Sequence, residues 1–229
     1  MNLWTDIRDF LFPRLCLSCG KKLLQSEDGL CISCFSSLPY THLGNTSGNE
    51  MEKCFWGRFL VVRASSLFYY AKGGDVAQIL YAMKYHARKK LCCRMGEYMA
   101  GELCDSGFFE GIDYLLPVPL FSSRLRQRGY NQSELLARGI SCVTGIPLCT
   151  DAVVRSRNNA TQTHKSGYAR WQNVDRLFLP TPHAANLHDK HILLVDDVLT
   201  TGATLVACAD ALLGVENIKI SVLTLAWAR

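Results

Sequence analysis

The stretch from Ile192 to Thr204 constrains this chain more than any other. Ile192-Leu193-Leu194-Val195 is an apolar run of the kind found in a strand buried on both faces of a parallel sheet. Two carboxylates, Asp196 and Asp197, follow at its carboxyl end. A loop of hydroxyl-bearing and small residues comes next, Thr200-Thr201-Gly202-Ala203-Thr204. It opens a predicted helix whose apolar stripe is Leu205, Val206, Ala209, Leu212 and Leu213. Strand, small-residue loop and helix in this order aim backbone N–H groups and the helix dipole at an anion. Gly202 lets the backbone approach a phosphate closely. Two adjacent acids repel an anion and need another partner; as acceptors they suit sugar hydroxyls or a magnesium shell. Phosphate on the loop and ribose on the acids describe a ribose 5-phosphate. The plainer alternative is an ordinary strand–turn–helix with surface acids.

A chain of 229 residues, 48% hydrophobic, can build one large α/β domain and a small additional module. No apolar run approaches membrane-spanning length. Residues 1–13 carry Asp6 and Asp9 and no basic n-region, which argues against a secretory signal. Leu3, Trp4, Ile7, Phe10 and Leu11 form a short helical stripe there, suited to packing on the rest of the protein.

The predicted organisation is a small module over residues 1–56 and an α/β domain over 57–229. The polar stretch from His42 to Lys53 reads as a linker or exposed loop. A strand is expected over 63–70. Helices are expected from Asp75, with Val76, Ile79, Leu80 and Met83 on one face, and over about 91–104. Asp113 to Val118 is a predicted strand. Asn131 with Glu134 three residues on resembles a capping box, opening a helix that runs to about Gly145. Strands alternating with helices predict a parallel sheet flanked by helices on both faces. Ligands of such sheets bind beyond the carboxyl ends of the strands. The loops after Asp197 and around Pro117-Val118-Pro119 would then share one cleft.

Of eleven cysteines, four stand apart by spacing: Cys16-x-x-Cys19 and Cys31-x-x-Cys34. Each pair can bring two thiolates onto one metal, and Gly20 relieves the turn after the first. Four thiolates with no open position make a structural zinc site, and so small a module needs such a metal to fold. One Cys-x-x-Cys acting as a redox dithiol is the competing reading. The other cysteines read as small apolar residues.

Charge is unevenly placed. Lys84, Arg88, Lys89, Lys90 and Arg94 occur between 84 and 94 without an acid, and residues 124–176 hold nine basic residues against three acids. A polyphosphate ligand explains this distribution, and so does nucleic acid. Arg124, Arg126 and Arg128 at alternate positions before Gly129 suit an extended loop around a pyrophosphate; a solvated basic helix turn is the alternative. From Arg155 through Arg157, Gln162, Thr163 and Lys165 to Asn173 the sequence reads as a long polar loop, of the type that often serves as a lid. Tyr69, Tyr70, Tyr81, Tyr85 and Tyr130 lie near the basic stretches, where aromatics suit either stacked bases or an amphipathic core edge.

Ile192 to Thr204 resembles the phosphoribosyl-pyrophosphate (PRPP) loop of type I phosphoribosyltransferases. The cysteine pairs, Leu116-Pro117-Val118-Pro119-Leu120, Arg126-x-Arg128-Gly129-Tyr130-Asn131-Gln132, Arg155-x-Arg157-x(4)-Gln162-Thr163 and the PRPP-like loop, in this order, resemble the ComF family, which includes GntX-like proteins. The resemblance implies a type I phosphoribosyltransferase fold with an N-terminal zinc ribbon-like module and a cytoplasmic role in DNA uptake and natural transformation. It implies PRPP and Mg²⁺ as ligands, with Thr200, Thr201, Gly202, Ala203 and Thr204 on the 5-phosphate and Asp196 and Asp197 on the ribose. It also implies Arg126, Arg128 and, more weakly, Lys84 on the pyrophosphate, and zinc on Cys16, Cys19, Cys31 and Cys34. Single-stranded DNA or DNA-uptake proteins are the implied partners. Some relatives carry a second set of cysteine pairs that this chain lacks. No acid or base is needed from the protein and none is assigned, so either an active transferase with an unknown acceptor or a PRPP-sensing or DNA-binding module without catalysis fits the residues.

Overall fold

The computed structural model describes residues 13–44, 46–156 and 177–229. In chain order its strands are β1 (Val61–Tyr69), β2 (Tyr114–Pro117), β3 (Val153–Arg155), β4 (Phe178–Pro180), β5 (His191–Leu199) and β6 (Lys219–Trp227). Its helices are α1 (Ile32–Ser36), α2 (Glu50–Lys53), α3 (Asp75–Tyr85), α4 (Lys89–Cys104), α5 (Ser122–Arg128), α6 (Gln132–Thr144) and α7 (Ala203–Asp210). β1, β6, β5 and β2 lie side by side in that order and all run parallel, while β3 and β4 form a separate antiparallel pair.

The apolar run of β5 has side chains on both faces of the sheet, and both faces are covered. Leu193 and Val195 join Ile79, Met83, Leu91, Met95, Met99, Leu136 and Ile140 of α3, α4 and α6 in one cluster. Ile192 and Leu194 join Phe55, Leu205, Cys208 and Leu212 in the other. The alternation is the period of two that a strand imposes. The predicted parallel sheet between helical layers is therefore present.

α4 and α6 cross at two glycines. A Cβ on Gly139 would sit 2.0 Å from the Cys93 carbonyl oxygen, and one on Gly96 would sit 2.0 Å from that of Leu136. Only residues without a side chain let the backbones approach this closely.

The cysteine-bearing segment is packed into the first cluster through Cys16, Leu23, Leu30, Cys31 and Leu38. Gly29 (φ +75°) lies so near Leu91 that a Cβ would meet its Cδ1 at 2.5 Å. Residues 39–41 then run antiparallel along the outer side of β1: the Thr41 N–H donates to the Leu67 carbonyl (3.0 Å), and the Tyr69 N–H donates to that of Pro39 (2.8 Å).

Several expectations are corrected. The polar stretch before Lys53 is not simply a linker. Asn49 is buried; its Oδ1 caps α2 through the N–H groups of Met51 (2.9 Å) and Glu52 (3.0 Å), and its Nδ2 donates to the Ala64 carbonyl (2.9 Å). Local side-chain bonding of this kind takes up polar residues that would otherwise need water, and Met51 and Phe55 follow into the core. The arginine segment is a helix, α5, rather than an extended loop. Arginine is a good helix former, and Gly129 (φ +78°) ends the helix in the left-handed conformation with its N–H on the Leu125 carbonyl (2.7 Å). Asn131 does cap α6, through the Ser133 N–H (3.2 Å), but Glu134 pairs with Arg138 (2.7 Å) rather than completing a capping box. α7 ends at Asp210, which leaves Leu213 outside the stripe and exposed. Cys104 and Cys142 are exposed as well. The N-terminal apolar stripe and the polar loop from Arg157 to Asn173 lie outside the described residues. Among the described residues, no helix is long and apolar enough to cross a membrane.

Candidate functional site

Parallel pairing of β2 with β5 places Pro117 opposite Val195, so β2 ends level with the residue before the acid pair while β5 runs on through Asp196 and Asp197 to Leu199. The Val118 N–H donates to the Val195 carbonyl (2.9 Å) and Asn131 Nδ2 to the Val118 carbonyl (3.0 Å). This brings the first turn of α6 to the acid pair, where Ser133 Oγ donates to Asp196 Oδ1 (2.9 Å). The Asp197 N–H donates to the same oxygen (2.9 Å). α3 arrives from the other side: Lys84 Nζ lies 2.9 Å from Asp197 Oδ2. Tyr130 and Gln132 both donate to the Met83 carbonyl, which fixes the end of α3 that carries Lys84. The structure thus brings Lys84, Ser133, Asp196 and Asp197 together from three elements.

The two carboxylates differ in their surroundings. Burial pushes Asp196 up to about 7, and the neighbouring Asp197 adds to the shift, against hydrogen bonds from the Asp197 N–H and Ser133 and the charge of Lys84. The side chains of Lys84 and Asp197 are only 26% and 12% exposed. Such a pair is screened less than a surface ion pair, for which about 0–1 kcal/mol is usual.

The loop that follows is built as an anion cradle requires. Gly202 has φ +77° and begins α7. A Cβ there would meet Leu199 and Arg58 at an ordinary 3.5 Å, so the left-handed backbone, not lack of space, calls for glycine. The N–H groups of Thr201 and Gly202 have no acceptor among the described residues, and Thr200, Thr201 and Ala203 are exposed. Arg58 Nη1 donates to the Thr201 carbonyl (3.0 Å) and steadies the loop from below. Arg58 belongs to no motif, and nothing in the sequence singles it out.

The cations are distributed unevenly. On α5, residues four apart share a face, so Arg124 and Arg128 lie together and Arg126 lies nearly opposite. Arg128 is engaged by Gln132 Oε1 (2.6 Å) and covers the Tyr85 ring at 5.7 Å. Arg126 is exposed and has no hydrogen-bond or ion-pair partner among the described residues. Arg155, at the end of β3, lies 5.3 Å over the Phe178 ring. Its Nε is buried without an acceptor, which costs about 1–3 kcal/mol when left so. Burial lowers its pKa and the charge of Arg124 lowers it further, against the charge of Asp196. The tyrosines divide: Tyr130 is buried, Tyr69 and Tyr70 are half-buried, and Tyr81 and Tyr85 are exposed, with ring centroids 4.8 Å apart.

The second candidate centre is the cysteine cluster. The Sγ atoms of Cys16, Cys19, Cys31 and Cys34 all lie within 4.8 Å of one another. Cys19 and Cys31 are 3.8 Å apart, the sulfur–sulfur separation that tetrahedral ligands at about 2.3 Å from zinc require. Gly20 (φ +71°) turns the first pair, and Glu27 holds the second by accepting from the N–H groups of Leu24 (2.7 Å) and Ile32 (2.8 Å). Burial opposes ionisation of Cys16, yet N–H groups of Cys19, Cys31 and Ser18 directed at its sulfur prevail and lower the thiol to about 6. The donor set fits a metal ion such as zinc. His42 pairs instead with Glu102 (3.1 Å).

A cavity of about 490 Å³ lies at the N-terminal end of β1, away from the acid pair, among Asn49, Glu52, Arg63, Ser106 and Glu110.

Residues 126–228 match the phosphoribosyl transferase domain family. The chain is similar to DNA utilization protein YhgH of Escherichia coli (strain K12), at 28% identity over 88% of this chain and 91% of that one. It is similar to competence protein F of Haemophilus influenzae, at 26% identity over 90% and 94%. A shorter match, 34% over 99 residues, joins 43% of this chain to 38% of competence protein ComFC of Bacillus subtilis.

Proposed function

Taking as premise that this chain is a member of the ComF family, we propose that it binds PRPP with Mg²⁺ at residues 196–204 and acts in DNA uptake and natural transformation. The observation that carries the proposal is the convergence of Lys84 and Ser133 on Asp197 and Asp196 beside a left-handed Gly202 loop with free N–H donors. The loop N–H groups and the hydroxyls of Thr200, Thr201 and Thr204 hold the 5-phosphate, with Ala203 leaving room beside them. Asp196 and Asp197 accept from the ribose hydroxyls. Lys84 offsets the charge of the acid pair, so that an anion can approach it, and Arg128, tied to Gln132 in the first turn of α6, is the arginine of α5 held towards the site. Mg²⁺ would neutralise the diphosphate. Zinc on the four cysteines would be structural, since four thiolates leave no position for a substrate.

A second reading, single-stranded DNA binding, is favoured by the exposed Tyr81–Tyr85 pair, with Arg128 over the Tyr85 ring. Exposed aromatics between cations stack bases without regard to sequence. The YhgH relatives are named DNA utilization proteins, and both readings can hold for one molecule.

The test is calorimetry of Mg²⁺–PRPP on the parent and on Asp196→Asn/Asp197→Asn, with a titration of single-stranded DNA in parallel. Loss of PRPP affinity in a folded double variant is expected; unchanged affinity places PRPP elsewhere. Pyrophosphate release with a panel of acceptors separates a transferase from a sensor.

A further inference from the structure

We propose that a groove along the outer edge of β1 binds an aliphatic polyamine. It is separate from the acid pair, since β6 lies between β1 and β5, and the proposal does not depend on the PRPP reading. Two cavities make the groove. The larger, of about 490 Å³, lies between Asn49 and Glu52 on one side and Asp105, Ser106 and Glu110 on the other. The smaller, of about 60 Å³, lies beside Ser65 and Glu102. Leu43 and Gly44 line both, so the two adjoin. From Val62 to Leu67 the groove follows β1 for roughly 16 Å, at about 3.3 Å per residue.

The walls select a ligand with separated positive charges. Four carboxylates border the groove, Glu52, Glu102, Asp105 and Glu110, against one guanidinium, Arg63. The chain as a whole carries a net charge of +5. Glu102 lies in the last turn of α4, Asp105 follows as its C-cap residue, and that last turn holds no base. The negative end of the α4 dipole therefore adds to their charge. Arg63 is engaged elsewhere: its Nη1 donates to the carbonyls of Gly107 (3.0 Å), Phe108 (2.8 Å) and Glu110 (3.0 Å), which fixes the turn that presents Glu110. Glu102 meets His42 through Oε1 (3.1 Å) and keeps Oε2 open. Asp105 and Glu110 have no ion-pair partner among the described residues. One metal ion does not suit these acids, because among the described residues only the four cysteines bring three or more ligating groups together. Between the acids the lining is apolar, from Leu43, Val62, Leu67, Leu103 and Phe108. Ammonium groups set apart by methylenes match that alternation. At the narrow end Ser65 is fully buried and its Oγ has no partner. A hydroxyl there can accept from an ammonium. The smaller cavity, about 60 Å³, is several times the ~10–15 Å³ that one water needs, which is room for an ammonium end.

The experiment is calorimetry of spermidine, putrescine and Mg²⁺ on the zinc-loaded full chain, all at one ionic strength of about 0.15 M so that screening is constant. Spermidine is expected to bind at one site, more tightly than the shorter putrescine, which reaches fewer carboxylates. Asp105→Asn/Glu110→Gln is expected to weaken spermidine about tenfold or more, the scale of lost hydrogen bonds to charged groups. Ser65→Ala should weaken it about threefold or more. Mg²⁺–PRPP should bind these variants as it binds the parent. If the double variant does not fold, Glu102→Gln must show the same loss of spermidine. Absence of spermidine binding to the parent overturns the proposal. So does displacement by Mg²⁺ at the same ionic strength, or an equal loss in Asp210→Asn/Glu216→Gln, two exposed acids outside the groove, since either marks diffuse attraction to negative surface. A parallel loss of PRPP affinity marks a structural change and overturns it too. A parent that binds spermidine but not PRPP refutes the loop reading and leaves this one standing.

Discussion

Replacing Gly139 by alanine sets two effects of opposite sign against each other. Alanine is the better helix former, and in the interior of α6 it should stabilise by about 1 kcal/mol. The crossing with α4 opposes this. The new Cβ would lie 2.0 Å from the Cys93 carbonyl oxygen and 2.9 Å from the Glu97 nitrogen, where ordinary contact begins near 3.4 Å. The obstacles are backbone atoms, so no side chain can swing away, and the helices must part by about 1.4 Å. Overpacking of this kind costs about 1–3 kcal/mol; with so rigid a contact the upper end applies. The expected net effect is a loss of about 1–2 kcal/mol, or roughly 2–8 °C in Tm for a chain of this size. Adding Gly96→Ala should cost less than its single effect, because parted helices already make room. The parting would also move Ser133, two turns away on α6, off Asp196, so PRPP affinity should fall with stability. Urea unfolding followed by circular dichroism, at saturating zinc and unchanged m, measures the first effect. A Gly139→Ala variant more stable than its parent by about 1 kcal/mol would show that propensity prevails and refute the packing argument.

Two further outcomes are expected. Protein purified without added zinc should contain about one equivalent, as a closed four-thiolate site implies, and Cys16→Ser/Cys31→Ser should lose it; full retention would mean that the metal is held elsewhere. Asp196 has its folded value raised above the unfolded value of about 4, to about 7. Its contribution to stability is therefore complete below pH ~4 and is lost as pH rises through about 7. Asp196→Asn should flatten that part of the stability–pH curve, and an unchanged slope would assign the titration to another group.

Much of the fold was legible because burial leaves a period in the sequence. The run Ile192–Val195 is buried on both faces, Asn131 and Gly145 mark helix ends by the chemistry of caps, and Asp75 marks one as an acid in the first turn. The acid pair and the glycine loop were legible for the same reason: their neighbours in space are neighbours in sequence. What escaped was non-local. Ser133 and Arg58 reach the site across 63 and 143 residues, and no pattern in the chain announces either contact. The arginines before Gly129 misled in another way. Alternation suggested an extended backbone, yet their propensity and the left-handed cap make a helix, which splits Arg126 from Arg124 and Arg128. Asn49 shows the limit of reading polar residues as exposed, since its amide is satisfied by backbone groups within the protein.

The antiparallel course of residues 39–41 along β1 bears on how the chain can be cut. β1 is the last strand on its side of the sheet. A bare terminal strand presents a row of open N–H and C=O groups, a template for pairing with another molecule. Pro39, Tyr40 and Thr41 occupy that row over the second half of β1, where Phe68 is fully buried. A fragment starting at residue 57 would retain every residue of the acid-pair site, yet it would uncover both this row and the apolar surface beneath it. Such a fragment is expected to self-associate through β1, and the shortest well-behaved piece of the protein must begin before Pro39.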